Sequence, residues 1–243
     1  MSNEWFENWF NSPYYHVLYA HRDENEAEYF LSRLIQELQI PLRSKVLDLC
    51  CGKGRHAIFL NKQGLQVTGT DLSENNIREA SLFKNETLDF KRADMRDVLK
   101  GKNFNYVFNL FTSFGYFDTD AENEKVIRSV YEMLETGGFF ILDFLNTTKL
   151  RDDLRAEETK KVDGIVFHIT RFSCDQFIGK NIRLQADGKV HEYSEKVRSF
   201  DCHTLVKMLE QNKFEIFRTF GSYSLSPFDE KTSDRLILIA VKK

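Results

Sequence analysis

Residues 46–55 read Val46-Leu47-Asp48-Leu49-Cys50-Cys51-Gly52-Lys53-Gly54-Arg55. A short apolar run passes straight into a glycine-punctuated turn, and the spacing predicts a helix over 57–63, ended by Gly64. A second run, 66–70, closes on Asp71, seventeen residues past Gly54. This is strand, tight turn, helix, strand, acid. Glycines at 52 and 54 let a ligand approach backbone where a Cβ would collide. The helix start offers unpaired N–H groups. A carboxylate ending the second strand can accept from both hydroxyls of a ribose. The pattern predicts a nucleoside site at the carboxyl edge of a parallel sheet.

Outward from this stretch the alternation continues. Residues 88–92, 106–110 and 139–144 read as further strands, the last being Phe139-Phe140-Ile141-Leu142-Asp143-Phe144. Apolar side chains at helical spacing mark 24–39, stopped by Pro41, and 121–135, broken by Gly137-Gly138. Nearly continuous apolar strands separated by helices indicate a sheet covered on both faces. The character changes over 147–200. Residues 149–161 are charged and read as surface helix or loop. Residues 165–171, 177–185 and 189–200 read as antiparallel strands, with Asp187-Gly188 a hairpin turn. A helix near 204–212 and strands at 215–220 and 235–241 close the chain. The expected fold is α/β: a doubly wound, seven-stranded, mostly parallel sheet with an antiparallel last strand, plus a small antiparallel β insertion of three strands.

The 243 residues suit one domain. Lys and Arg total 34 against 37 Asp and Glu, a net charge of −3, which argues against nucleic acid or an anionic membrane as the partner. No apolar run has the length of a membrane span and Met1-Ser2-Asn3-Glu4-Trp5 has no signal-peptide pattern, so a cytoplasmic location is expected. The four cysteines, Cys50, Cys51, Cys174 and Cys202, have no zinc spacing; no metal is expected.

Two cofactor classes compete for the turn. Gly52-Lys53-Gly54-Arg55-His56-Ala57 fits the dinucleotide pattern G-x-G-x-x-G/A. Against it, Asp48 on the preceding strand would repel a pyrophosphate and suit the ammonium of a methionine moiety. Two strands after the last helix, giving the sheet an antiparallel end, favour the second class. The chain resembles a class I, Rossmann-like S-adenosylmethionine-dependent methyltransferase, well over 40–146 and moderately over 200–243. Residues 46–55 resemble that family's first motif. Arg92-Ala93-Asp94-Met95-Arg96 resembles its adenine segment, and Asn109-Leu110-Phe111-Thr112-Ser113-Phe114-Gly115-Tyr116 its fourth motif. Cys50 stands where the first glycine is usual, Lys53 where Thr is common, and Thr136 where Pro is usual. Residues 109–112 lack the Asn/Asp-Pro-Pro-Tyr/Phe tetrapeptide of nucleic-acid and protein amide methylators. The Asp-Met-Arg segment and the Phe-x-Ser-x-Gly-Tyr run are similar to those of small-molecule N-methyltransferases.

The resemblance implies S-adenosylmethionine as cofactor, with S-adenosylhomocysteine as product. It implies contacts from Asp48, Cys50, Cys51, Gly52, Gly54, Arg55, Asp71, Leu72, Asp94, Met95, Asn109, Leu110 and Phe111. The aromatic N-terminal segment is placed over the site, where Tyr15 and Arg22 are candidates for the cofactor. No catalytic group is singled out; Tyr14, Tyr116, His168 and His191 are the candidates. The chain divides into 1–40 (aromatic lid), 41–146 (cofactor core), 147–200 (insertion covering the substrate) and 201–243 (closing helix and strands). The expected partner is a small-molecule methyl acceptor; monomer or homodimer is left open. Alternatives are an RNA or protein methyltransferase, a non-catalytic S-adenosylmethionine-binding protein, and an NAD enzyme. A basic patch, a missing acceptor pocket, and the cofactor that binds would distinguish them in turn.

Overall fold

A computed structural model describes residues 5–19, 24–101, 103–152 and 154–243. Helices α1 (Trp5–Phe10), α2 (Pro13–Leu18) and α3 (Glu24–Glu37) precede β1 (Lys45–Leu49), α4 (Arg55–Lys62) and β2 (Gln66–Asp71). Then come α5 (Glu74–Ala80), β3 (Leu88–Arg92), β4 (Phe104–Asn109), α6 (Asp120–Met133), β5 (Leu134–Leu145) and α7 (Thr147–Asp152). Four strands follow, β6 (Glu157–Val162), β7 (Ile165–Ser173), β8 (Phe177–Ala186) and β9 (Lys189–Arg198). The chain closes with α8 (Cys202–Gln211), β10 (Phe214–Phe220) and β11 (Arg235–Lys242).

Side chains at the starts of the helices explain several boundaries. Ser73, Thr119 and Asp201 each accept a backbone N–H, from Asn76, Glu122 and Thr204 respectively, and so cap α5, α6 and α8. Each cap is worth about 1 kcal/mol. Helix α3 ends ahead of Pro41, through Gln39 in the left-handed region (φ 46°).

The main sheet has seven strands in the order β10-β11-β5-β4-β1-β2-β3. Neighbours from β3 to β5 run parallel, and β11 runs antiparallel to both β5 and β10. Period-two alternation sorts each strand between two cores. Leu47, Val107, Phe140, Leu142 and Leu238 face the layer of α6 and α8. Val46, Val67, Phe108, Ile141 and Ile239 face the layer of α3 and α4. Being covered on both faces is why these strands read as unbroken apolar runs.

The insertion has four strands rather than three, in the order β6-β7-β8-β9. Residues 157–162, expected as surface helix or loop, form its edge. Their charged side chains alternate between exposed and half-buried, as an edge strand exposed to solvent requires. Asp187 and Gly188 both have positive φ (53° and 72°), the geometry of a two-residue hairpin turn. Asp163-Gly164 repeats it between β6 and β7 (48° and 80°). The inner face of this sheet, with Phe167, Ile169, Ile182 and Leu184, packs on Trp9 and Leu18. The aromatic N-terminus and the insertion therefore form one body, whose buried centre is the fully covered Trp9.

Candidate functional site

The strand order reverses between β1 and β4, and the loops leaving their carboxyl ends open a crevice where ligands of such sheets bind. The turn after β1 holds Cys50, Gly52 and Gly54 in the left-handed region (φ 65°, 56° and 87°). Gly54 is required by packing: a Cβ there would lie 2.7 Å from the Phe90 ring. Gly52 meets nothing within 4 Å, leaving space on its open side. Asp71 fastens the turn. It accepts from the Gly52 N–H (2.9 Å) with one oxygen, and from the Ser73 N–H (2.8 Å) and Asn76 amide (3.3 Å) with the other. Burial pushes the Asp71 carboxyl above its ordinary range, and those donors oppose the shift.

Beneath the turn, Asp48 is buried with Oδ2 unmatched, and Asn109 on β4 has its Oδ1 unmatched. Burial raises the Asp48 pKa to about 7, the Ala57 N–H holding it down and Asp71 adding to the rise. Both residues lie behind the turn, at adjacent strand ends, and each keeps one side-chain oxygen without a donor.

The loop after β4 is strained and clamped. Phe111 and Thr112 are consecutive left-handed residues (φ 55° and 62°), each costing about 1–3 kcal/mol. Asp143, fully buried on β5, accepts the Phe111 N–H at 2.7 Å. Arg235 at the start of β11 bridges Asp143 (2.8 Å) and the Thr112 hydroxyl (2.9 Å). Burial raises the Asp143 pKa and the Arg235 guanidinium opposes it. Phe111 stacks on His56 at 5.0 Å.

These loops form the floor of a cavity of about 640 Å³. Its roof is Trp5, Phe10, Tyr15 and Tyr19 from the N-terminal segment and Ile178, Lys180, Glu195 and Val197 from β8 and β9. The volume lies in the usual range for small-molecule sites.

Residues 46–138 match a family model described as a methyltransferase domain. Over these residues the chain carries a methyltransferase domain. S-adenosylmethionine is the cofactor of the methyltransferase family this domain resembles. The methyltransferase is 27% identical over 205 residues to dTDP-3-amino-3,4,6-trideoxy-alpha-D-glucopyranose N,N-dimethyltransferase of Streptomyces venezuelae, spanning 83% of this chain and 84% of the relative. Its fold is similar to a S-adenosylmethionine-dependent methyltransferase from Clostridium acetobutylicum (TM-score 0.80, 20% identity, 97% and 98% of the two chains). It is also similar to the sugar N-methyltransferase KedS8 from Streptoalloteichus (TM-score 0.72, 20% identity, 94% and 92%).

Of the residues expected at the methyltransferase site, twelve line the cavity: Cys50, Cys51, Gly52, Arg55, Asp71, Leu72, Asp94, Met95, Leu110, Phe111, Tyr15 and Tyr116. Asp48, Gly54 and Asn109 are buried and do not line it. Asp94 is gripped through both oxygens by Arg96, whose guanidinium lies 4.1 Å over Phe117. Burial works against the Asp94 charge, and Arg96 more than compensates, lowering its pKa. His168 and His191, named as catalytic candidates, do not line the cavity. His168 alternates with the inward Phe167 and Ile169 and so points to solvent. His191 lies 4.8 Å from the Tyr14 ring, whose hydroxyl donates to Asp187; none of the three lines the cavity. Tyr14 falls with them as a catalytic candidate. Arg22 lies outside the described residues. Missed altogether were Asp143, Arg235, Lys180 and Glu195. A lone Asp in the apolar strand 139–144 was a signal for the first.

Proposed function

We propose that the protein methylates an amino nitrogen of a small molecule, using residues 50–55, Asp71, Asp94, Met95 and 109–111 to hold S-adenosylmethionine. The roofed cavity carries this reading: a floor of cofactor loops faces a roof of aromatic and ionic side chains across about 640 Å³. Similarity to the amino-sugar dimethyltransferase and the sugar N-methyltransferase supports an amine acceptor. A net charge of −3 gives no support to a polyanion.

Bound S-adenosylmethionine supplies a methyl group on a sulfonium that is already a good leaving group. The chain's task is alignment, since an in-line displacement gains most from orientation. The clamped loop of Phe111 and Thr112 and the turn of Gly52 fix the floor. Residues 5–19 and strands β6 to β9 are assigned as lid and substrate cover, excluding water that would solvate the nucleophile. A neutral amine needs no strong base.

The test is incubation with methyl-labelled S-adenosylmethionine and a panel of amines, among them glycine, sarcosine and a thymidine-diphosphate amino sugar. Label moving to an amine nitrogen supports the reading. Label moving only to oxygen or carbon acceptors, or to RNA or protein, overturns it.

A further inference from the structure

The roof holds a charged group that the floor chemistry leaves unused. Glu195 on β9 lines the cavity, with its side chain about one-fifth exposed. The Trp9 indole N–H, the Tyr19 hydroxyl (2.8 Å) and the Lys180 ammonium (3.1 Å) all converge on its carboxylate. Lys180 stands directly opposite Glu195 in the β8–β9 register. The same ammonium lies 4.7 Å from the centroid of the Tyr19 ring. It also donates to the Tyr19 hydroxyl, so an ammonium group already sits against a carboxylate and a phenol oxygen, both acceptors of its N–H groups.

The other carboxylates on the cavity wall that the site uses are committed elsewhere. Asp71 serves Gly52, Ser73 and Asn76, and Asp94 is forked by Arg96. Glu195 is placed differently: it is on the wall facing the floor, among rings, with a displaceable side-chain cation as its partner. A carboxylate offers about four acceptor positions. Trp9 and Tyr19 hold two in place, so the carboxylate stays oriented if Lys180 swings away.

We infer that Glu195 is the ammonium seat of the acceptor site, with Lys180 as the built-in occupant that the acceptor's amine displaces. This rests on the amine-methylation reading above. Glu195 is a binding group and not a base. Its carboxylate accepts the cation's N–H groups. Its benefit to transfer is electrostatic. Before attack the bound ammonium gives one proton to solvent, because only the neutral amine has a lone pair; as the C–N bond forms the C–S bond breaks, its electron pair stays on sulfur, and the positive charge that moves from sulfur to nitrogen faces the carboxylate again.

The experiment uses propylammonium chloride as the probe, titrated by NMR into full-length protein saturated with S-adenosylhomocysteine, with propanol as the uncharged control. Wild type should bind propylammonium, and propanol should bind at least tenfold more weakly. Glu195→Gln should lose at least tenfold in probe affinity with S-adenosylhomocysteine affinity unchanged. Lys180→Met, which removes the internal occupant and keeps the carboxylate, should bind the probe several-fold more tightly. Absence of probe binding to wild type, equal binding by Glu195→Gln, or weaker binding by Lys180→Met overturns the seat. If Glu195→Gln does not fold, the Lys180→Met arm decides alone. Failure of wild type to bind S-adenosylhomocysteine at all overturns the reading beneath it instead.

Discussion

Replacing Gly54 by Ala separates a packing role from a ligand role. The backbone at Gly54 has φ 87°, and a Cβ built there lies 2.7 Å and 2.8 Å from two Phe90 ring atoms and 3.2 Å from the Ala80 Cβ. The ring is itself buried, against Gly69 as well, so it has little room to retreat. The left-handed backbone costs about 1–2 kcal/mol for a residue with a Cβ. Overpacking adds about 1–3 kcal/mol. The sum, about 2–5 kcal/mol, converts to a fall in Tm of about 4–20 °C for a domain of this size. Gly52→Ala is the matched control, because its Cβ meets nothing within 4 Å and only the backbone term applies. Its Tm should fall by about 2–8 °C. Gly52 lines the cavity, so its new methyl intrudes where the cofactor is expected, at a cost of about 1–3 kcal/mol, or about five- to 150-fold in affinity. Thermal melting and calorimetry with S-adenosylhomocysteine read both effects. A Gly54→Ala protein melting within about 2 °C of wild type would refute the packing argument. So would one that lost affinity while keeping its stability.

Arg235→Met leaves Asp143 charged and buried without its guanidinium, and should destabilise by about 3–5 kcal/mol in denaturant unfolding. Adding Asp143→Asn should recover part of that loss; no recovery would mean that Arg235 acts through packing alone. Asp48 makes stability depend on pH. Its pKa rises from 3.8 to about 7 on folding, so the native state holds a proton that the unfolded chain has released. Stability relative to Asp48→Asn should therefore be greatest below about pH 4 and fall as pH rises to about 7, by about 2–4 kcal/mol. Urea titrations of the two proteins at pH 4.5, 6 and 7.5 check it; a parallel pair of curves would be the contrary result. Because an ammonium group near the turn favours ionised Asp48, the affinity of S-adenosylhomocysteine, which carries one, should rise with pH up to about 7 in wild type and lose that rise in Asp48→Asn.

The floor of the site was legible because it is local. A strand, a turn and a helix lie within residues 46–62, and Asp71 follows at a spacing set by one helix and one strand. The roof was not, because its contacts join residues far apart. Trp9 meets Glu195, and Arg235 meets Asp143, across 186 and 92 positions. Strand β6 was hidden by its charges, since an edge strand needs only one covered face and carries no apolar run. Asp163-Gly164 was nonetheless the same turn signal as Asp187-Gly188, and reading it would have supplied the fourth strand. His168 was named a catalytic candidate although its neighbours Phe167 and Ile169 mark the inward face and leave it exposed. Gly54 was assigned to a ligand when Phe90, distant in sequence, is what excludes a side chain there.

The most direct test is calorimetric titration of wild type and Asp71→Ala with S-adenosylhomocysteine, with NAD as control. Asp71 both fastens the Gly52 turn and lines the cavity. Micromolar binding by wild type, lost in Asp71→Ala, with no NAD isotherm, is the expected result. Silence toward S-adenosylhomocysteine together with a clear NAD isotherm would contradict it and give the glycine turn to a pyrophosphate.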